Sequence, residues 1–296
     1  MKNMKNLQGS GPAIATPFHE DLSLDLDTLK KLVEFQIAEG SDFIVPCGTT
    51  GESATLSFDE HCRVVETVVQ TVAGRIPVIA GAGGYNTAEV AHMAKTLSDL
   101  GADALLSVAP YYNKPTQEGL FQHFRAIAES VNTPIILYNV PGRTSSNILP
   151  ETVVRLSKID NIIGIKEATG DISQMSVQAV AVPDDFIVLS GDDANTLPLM
   201  ALGARGVISV AANEIPKSMN RLTRLCRNGQ FDEARALQKR IFPLLKANFF
   251  ETNPIPVKYA LARMGKIKEV YRLPMVPMSS ENKQRMDEVL KKLDLI

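Results

Sequence analysis

The sequence contains no tryptophan, few cysteines and no long apolar run, and its charges nearly cancel. Its three cysteines, Cys47, Cys62 and Cys226, are widely spaced and show no paired metal-ligand spacing. A disulfide framework and a structural zinc site are therefore not expected, and a reducing compartment is indicated. The net charge of −2 offers no electrostatic footprint for nucleic acid or an anionic membrane. No stretch approaches the roughly 20 apolar residues that a membrane span needs.

The amino-terminal segment also lacks the apolar core of a secretory signal. Residues 1–6 carry positive charge, but residues 7–12 are not hydrophobic. With 296 residues, 45% of them hydrophobic, the chain can bury a large core, as one big domain or one domain with an appendage. We therefore expect a soluble cytoplasmic protein.

Short apolar runs recur along the chain with helix-like segments between them. Their spacing falls from about thirty residues to about twenty, which is the size of a strand, a helix and two loops. The eight runs are residues 13–15, 43–45, 78–80, 104–106, 135–137, 162–165, 186–189 and 207–210. Eight such units predict an α/β fold, a (β/α)8 or TIM barrel. A doubly wound open sheet would also alternate strand and helix, but the first strand is not followed by G-x-G-x-x-G.

Helix punctuation between the runs agrees with this fold. Ser57 begins an S-x-x-E capping box, and Asn86 begins a similar signal for the next helix. Gly40 and Gly101 stand where the first and third helices should end, and Asp171 can cap the helix after the sixth strand.

Beyond residue 210 the pattern changes to helices without strands. Helical segments are predicted near residues 231–247, 255–264 and 281–293, and the prolines of Asn253-Pro254-Ile255-Pro256 mark a rigid turn. We therefore predict a catalytic barrel over residues 1–228 and a small carboxyl-terminal helical region over residues 229–296.

Lys166 ends the apolar run of the sixth predicted strand, where a buried strand should present another hydrophobic residue. Burial disfavours the ammonium form and lowers the pKa of a lysine, which leaves a neutral amine able to attack a carbonyl carbon. Such an amine is the nucleophile of Schiff-base catalysis. The alternative is that the run stops at Ile165 and the lysine points into water.

Polar residues follow several of the predicted strands at their carboxyl ends, where barrel enzymes build their sites. They are Thr49, Thr50, Tyr111, Tyr112, Tyr138, Arg143 and Lys166. A tyrosine linked to a threonine can carry protons beside an amine, and an arginine suits a substrate carboxylate. Taken singly, the threonines are typical of a turn, the paired tyrosines of packing, and the arginine of a solvated surface.

Metal chemistry has no support in the sequence. The four histidines, His19, His61, His92 and His123, form no ligand pair. The pair Asp192-Asp193 is more typical of a helix cap than of a metal site.

Four motifs carry a resemblance to a known family. They are Gly48-Thr49-Thr50-Gly51-Glu52, Tyr111-Tyr112-Asn113-Lys114-Pro115, Tyr138-Asn139-Val140-Pro141-Gly142-Arg143-Thr144 and Gly164-Ile165-Lys166-Glu167-Ala168. With residues 190–193, 206–209 and 253–258, they resemble in this order the pyruvate-dependent class I aldolases, over nearly the whole chain.

The resemblance implies a condensation of pyruvate with L-aspartate 4-semialdehyde, the first committed step towards diaminopimelate and lysine. Lys166 would form the imine with pyruvate, and no metal or organic cofactor would be needed, because the imine itself is the electron sink. The resemblance assigns a proton relay to Tyr138, Thr49 and Tyr112, and substrate contacts to Thr50, Arg143, Gly191 and Ile208. Tyr112 would reach into a neighbouring subunit of a homotetramer.

Some members of this family are inhibited by lysine at a subunit interface. Phe58 and Tyr85 stand here where sensitive members have a histidine and an asparagine, and two bulky aromatic rings would remove hydrogen bonds and volume. We therefore expect weak or absent inhibition by lysine, an expectation that half-maximal inhibition at submillimolar lysine would contradict.

Two alternatives stay open. One is a related aldolase, such as N-acetylneuraminate lyase or a 2-keto-3-deoxy sugar acid aldolase, although these relatives usually carry Ser-Thr in the second-strand motif and lack the paired tyrosines. The other is a barrel that binds an oxo acid without turnover, although a desolvated amine would then serve no purpose.

Overall fold

Seven parallel strands form the sheet of the computed structural model, which describes residues 4–296. Their order in the sheet is β1-β7-β6-β5-β4-β3-β2. The strands are β1 (Gly9–Pro12), β2 (Ile79–Gly81), β3 (Ala104–Val108), β4 (Ile135–Asn139), β5 (Ile162–Glu167), β6 (Ile187–Ser190) and β7 (Gly206–Ser209).

The segment around residues 43–45 closes this sheet into a barrel. Val45 bridges to Ala13 beyond the end of β1, and Ile44 bridges to Val78 just before β2, both in the parallel sense. The predicted barrel is therefore confirmed, with isolated bridges in place of a regular strand at residues 43–45. The first strand, predicted at residues 13–15, lies earlier in the chain: the ladder runs through Gly9–Pro12, and of the predicted run only Ala13 forms a bridge.

Helices follow the strands around the barrel, and three further helices form the carboxyl-terminal region. They are α1 (Leu26–Ala38), α2 (Phe58–Val72), α3 (Thr87–Asp99), α4 (Gln117–Ser130), α5 (Pro141–Thr144), α6 (Pro150–Leu156), α7 (Ile172–Ala181), α8 (Thr196–Ala201), α9 (Pro216–Arg227), α10 (Phe231–Ala247), α11 (Ile255–Arg263) and α12 (Ser280–Lys292).

The predicted helix boundaries follow from local hydrogen bonds. Ser57 and Glu60 form the complete capping box of α2. Asp171 accepts hydrogen bonds from two backbone amides at the start of α7. Gly40 and Gly101 adopt φ of 88° and 94° just after α1 and α3, a conformation that a side chain would strain.

Alternation along the strands divides the core into two layers. In β3, Ala104 and Leu106 point into the barrel interior, whereas Leu105 packs outward beneath the helices. All three side chains are at most 3% exposed. The strands are therefore apolar on both faces, and a polar side chain is an exception that the fold has to accommodate.

The carboxyl-terminal helices α10, α11 and α12 lie at or within one residue of the predicted segments. Gln238 of α10 donates to the carbonyl of Ala194 at 2.9 Å, and Asn248 donates to the Glu214 carboxyl at 2.6 Å. These contacts hold the carboxyl-terminal region against the rim of the barrel. The division at residue 228 stays a prediction. No helix among residues 4–296 is long and apolar enough to cross a membrane.

Candidate active site

A cavity of about 210 Å³ opens at the carboxyl ends of the strands. It is lined by Thr49, Thr50, Tyr138, Val140, Arg143, Lys166, Ala168, Gly191, Asp192, Ala194, Val210, Leu245, Lys246, Phe249 and Asn253. Six of the eight predicted site residues are in this set, although they come from four separate stretches of the chain. The parallel topology brings them together, because all strand ends of one sense meet at one rim.

Lys166 and Tyr138 are neighbours across the β4–β5 ladder. The amine of Lys166 lies 4.2 Å from the centre of the Tyr138 ring, and the two residues are only 5% and 7% exposed. Among residues 4–296, no carboxylate lies within ion-pair distance of this amine. The alternative in which Lys166 points into water is therefore wrong, since the side chain is buried and faces the cavity.

Gly191 makes room for the lysine. A Cβ at this position would lie 3.0 Å from Cγ and Cε of Lys166 and 2.8 Å from the Cβ of Ala168. Its backbone amide donates to the Glu167 carbonyl at 2.7 Å, which brings the strand-6 turn close to β5. Only glycine permits this approach while the lysine keeps its position.

Asn253 connects both predicted carboxylate-binding residues to the carboxyl-terminal region. Its side-chain amide donates to the hydroxyl of Thr50 at 3.0 Å, and its carbonyl accepts from the guanidinium of Arg143 at 3.2 Å. Thr50 is 1% exposed and fixed, whereas Arg143 lies exposed on the short helix α5. The site therefore has a rigid inner end and an accessible outer end.

A buried ion pair holds the loop that carries the two threonines. Lys258 of α11 is fully buried and donates to the Glu52 carboxylate at 2.5 Å. Glu52 adopts φ of 52° immediately after Gly51, whose carbonyl accepts from the Thr16 hydroxyl at 2.7 Å. The loop from Thr49 to Glu52 is thus fixed from both sides, which sets the position of the threonine hydroxyls.

A second polar cluster supports Lys166 from the outer face of the sheet. Glu167 is 0% exposed and accepts from the side-chain amide of Asn139 at 3.3 Å and from the backbone amide of Thr169 at 2.8 Å. Burial raises the pKa of Glu167, and these hydrogen bonds oppose the rise. Asn139 follows Tyr138 directly, so this cluster joins the ends of β4 and β5 where the two site residues leave the ladder.

Buried acids lie beneath the α10 side of the cavity. Burial raises the pKa of Asp193 to about 6 and raises that of Glu214 well above its usual value. Asp193 accepts from the backbone amides of Val210 and Ala211 at 3.0 and 2.9 Å, while Glu214 accepts from Asn248. These bonds fix the turn after β7 against the end of α10.

Two predicted site residues do not line the cavity. Ile208 is 1% exposed and packs with Leu189 inside the barrel. Tyr112 is 89% exposed at φ of 67°, on a loop outside the cavity of its own chain. Their assigned roles stay predictions. The role predicted for Tyr112 places it in the site of a neighbouring subunit.

The two aromatic residues expected to prevent lysine inhibition lie on the surface. Phe58 stacks on His92 with ring centres 5.2 Å apart, and Tyr85 packs edge-on against Tyr111 at 5.1 Å. Phe58 and Tyr85 are 38% and 52% exposed. The expectation about inhibition stays a prediction.

Sequence reasoning missed the contributions that come from the carboxyl-terminal region. Asn253 and Lys258 were noticed only as parts of a motif, and Lys246 not at all. One signal was available. Lys258 is a second lysine in an apolar stretch, since it stands in Ile255-Pro256-Val257-Lys258-Tyr259-Ala260 much as Lys166 stands at the end of its apolar strand. Leu245 and Phe249 carried no such signal.

Known proteins match the chain over nearly its whole length. The model of the dihydrodipicolinate synthetase family matches residues 6–293. The chain is 53% identical over 291 residues to 4-hydroxy-tetrahydrodipicolinate synthase of Pelodictyon phaeoclathratiforme, with 98% of each chain covered.

Solved structures agree in fold over the same length. The chloride-inhibited dihydrodipicolinate synthase from Acinetobacter baumannii, complexed with pyruvate, is 46% identical with a TM-score of 0.96, over 98% of this chain and 99% of that one. A monomeric dihydrodipicolinate synthase variant is 42% identical with a TM-score of 0.97, over 99% of each chain. The resemblance inferred from the motifs is thereby confirmed, and a chain matched over nearly its whole length by both sequence and fold belongs to the dihydrodipicolinate synthetase family.

Proposed function

We propose that this protein condenses pyruvate with L-aspartate 4-semialdehyde to 4-hydroxy-tetrahydrodipicolinate, with Lys166 as the nucleophile. The chain is a lyase of this kind, as its near-full-length relationship to a 4-hydroxy-tetrahydrodipicolinate synthase indicates. The observation that supports the assignment of Lys166 is its buried amine, which faces a cavity beside Tyr138 and has no carboxylate partner among residues 4–296. An amine in that setting is available to attack a carbonyl carbon.

The first half of the reaction forms an enamine on the protein. The Lys166 nitrogen attacks C2 of pyruvate, the carbonyl oxygen takes a proton, and the carbinolamine loses water to give an imine. Loss of a proton from the C3 methyl group then moves an electron pair into the C2–C3 bond. The ring of Tyr138 lies beside the amine, and its hydroxyl would pass protons to and from these atoms.

The second half forms the carbon–carbon bond. C3 of the enamine attacks the aldehyde carbon of the second substrate, whose oxygen takes a proton and becomes a hydroxyl. The amino group of that substrate then attacks the imine carbon and displaces the Lys166 nitrogen, which closes the ring and returns the free amine. Every atom of the lysine is recovered, so the cycle consumes no group of the protein.

The two ends of the cavity suit the carboxylates of the two substrates. Thr50 is buried and fixed by Asn253, so its hydroxyl and the neighbouring backbone can hold the pyruvate carboxylate. Arg143 is exposed at the outer end and can receive the carboxylate of the semialdehyde. Gly191 contributes backbone groups next to the lysine, and Thr49, which lines the cavity, would link the two tyrosines in the relay.

We propose further that a second copy of the chain completes the proton relay with Tyr112 and that the assembly is a homotetramer. The support is the position of this phenol, which is 89% exposed and lies outside the cavity of its own chain. Mass photometry or sedimentation of the intact protein tests the assembly, and a monomer with full activity would contradict it.

Reduction with borohydride in the presence of pyruvate tests the proposed chemistry. We expect mass spectrometry to find the reduced pyruvate adduct on Lys166, and a coupled assay to find turnover with L-aspartate 4-semialdehyde. An adduct without turnover on this aldehyde, but with turnover on a sugar aldehyde, would favour the related aldolases. Pyruvate binding without any adduct would contradict imine chemistry altogether.

A further inference from the structure

The outer end of the cavity carries a second cation in addition to Arg143. Lys246 lies in the last turn of α10, is exposed, and lines the same cavity. Arg143 already donates to the carbonyl of Asn253. For Lys246 the part of the chain that the structure describes supplies neither an ion pair nor a hydrogen bond to its amine. Its three donors therefore remain available for a ligand in the cavity.

The backbone of Lys246 is fixed although its side chain is exposed. Asn248, two residues further on, is fully buried and donates to Glu214 at 2.6 Å. Leu245, the residue before it, is 1% exposed and packs in the core. Gln238 holds the middle of α10 to the Ala194 carbonyl at 2.9 Å. Because this part of the backbone is fixed at the rim, the Lys246 amine reaches only positions within the length of one lysine side chain.

The charges around the cavity leave this end positive. Asp192 is the acidic residue of the lining. One of its carboxylate oxygens accepts from the backbone amide of Ala194 at 2.9 Å, and the other from the side-chain amide of Asn195 at 3.0 Å. These local bonds engage Asp192 at the cap of its own turn, while Arg143 and Lys246 present their charges to the cavity. An anionic group that enters after pyruvate meets these cations.

We propose that Lys246 is a specificity-determining residue whose ammonium group binds the carboxylate of the aldehyde substrate together with Arg143. The proposal rests on the proposed function, since it assigns pyruvate to the inner end and leaves the outer end to the second substrate. Pyruvate bound to Lys166 occupies the inner end of the cavity, so the carboxylate of the second substrate is left to the cations of the outer end. Two cations then select an aldehyde that carries an acid group.

Steady-state kinetics of Lys246→Met test this inference, with Lys239→Met as the matched control. Lys239 is an exposed lysine on the same helix and outside the cavity lining, so its loss changes the net charge by the same amount. We expect Lys246→Met to raise KM for the semialdehyde about tenfold, with kcat and KM for pyruvate nearly unchanged. Lys246→Arg retains the charge and should keep KM close to that of the parent protein.

An unchanged KM for the semialdehyde in Lys246→Met, or an equal rise in Lys239→Met, would overturn the proposal. An equal rise in KM for pyruvate would also overturn it, because it would show a general effect on anions. Borohydride trapping with pyruvate in the same preparations separates this failure from failure of the proposed function. A parent protein with no adduct on Lys166 overturns both, whereas an adduct with unchanged kinetics overturns only the role of Lys246.

Discussion

Two buried lysines of this protein have opposite surroundings. Lys166, at the end of β5, is 5% exposed and faces a cavity beside a tyrosine ring. Lys258, in α11, is 0% exposed, donates to Glu52, and lies 4.4 Å from the ring centre of Phe18. Burial lowers the pKa of Lys258, and the Glu52 carboxylate opposes that shift. The comparison teaches that burial alone does not make a lysine a candidate nucleophile. The amine of Lys258 is just as buried, but it is bound to a carboxylate and stabilises the fold.

Replacing Lys166 tests whether it is the nucleophile. Lys166→Met keeps most of the stem and removes the nitrogen, so we expect turnover to fall by about three orders of magnitude or more. The free energy of unfolding should not fall, since the variant removes a buried amine that has no carboxylate partner among residues 4–296. Activity and urea denaturation measure the two effects.

Lys258→Met serves as the control for that experiment. It also removes a buried amine, but it should leave the pyruvate adduct on Lys166 in place. An adduct that disappears in Lys258→Met and persists in Lys166→Met would reverse the roles of the two lysines.

Removing one partner of the buried ion pair tests whether Lys258 stabilises the fold. Glu52→Gln or Lys258→Met should each lower the free energy of unfolding by about 3 to 5 kcal/mol, because the remaining group loses its partner inside the protein. The double variant should lose less than the sum of the two single losses.

The exposed pair of Lys268 and Glu20 offers a matched control. These side chains are 56% and 81% exposed and lie 3.1 Å apart, and they also join the carboxyl-terminal region to the barrel. Lys268→Met should cost below about 1 kcal/mol. Equal losses in Lys258→Met and Lys268→Met would show that burial of the pair has no special effect.

The neighbour of Lys166 can be tested by removing a single oxygen. Tyr138→Phe keeps the ring that lies 4.2 Å from the amine and removes only the hydroxyl, so we expect kcat to fall about a hundredfold through loss of proton transfer. Tyr259→Phe removes a hydroxyl that bonds to Asp287 at 3.0 Å, far along the chain in the carboxyl-terminal helices, and should retain activity. An active Tyr138→Phe would assign proton transfer to another group.

Asp193 extends the comparison to a buried acid. Burial raises its pKa from 3.8 to about 6, so the folded state binds the proton more tightly than the unfolded state does. This contribution to stability is present below about pH 4 and is lost as the pH rises through about 6, by about 2 to 3 kcal/mol in total.

The comparison of parent and Asp193→Asn tests this contribution. Between pH 4 and pH 7, the parent should lose more stability than the variant, because the variant cannot titrate at this position. Burial keeps the pKa of Glu214 raised in both proteins, but the Asp193 charge adds to that rise in the parent only, so the difference reports the two acids together. Equal changes in unfolding free energy over this range would contradict the shift at Asp193.

Much of the barrel could be predicted because its strands are continuous apolar runs. The predicted runs from residue 78 onward each overlap an observed strand, from β2 to β7. β1 could not be found this way, because Gly9–Pro12 contains no large apolar side chain. Its small residues follow from close packing, since a Cβ on Gly11 would lie 2.3 Å from the Phe43 ring. The glycine in β1 is explained by the contact with Phe43, which exists only in the folded protein.

The candidate site shows the same division. Motifs after the strands identified Lys166, Tyr138, Thr50 and Arg143, and topology places all four at one cavity. The connection of Thr50 and Arg143 through Asn253 was not predictable, since the hydrogen bond to Thr50 spans 203 positions of the chain. Contacts of that separation leave no periodic pattern in the sequence.

The sequence by itself determined the alternation of strands and helices, the helix ends, and the lysine placed at the end of an apolar strand, because each of these depends on residues near one another in the chain. Only the tertiary structure decided which buried lysine stays unpaired and which one is tied to Glu52. It also decided that α10 supplies one wall of the cavity. The physical reason is that charge pairing and cavity walls depend on distances across space, which the folded barrel and its carboxyl-terminal helices set.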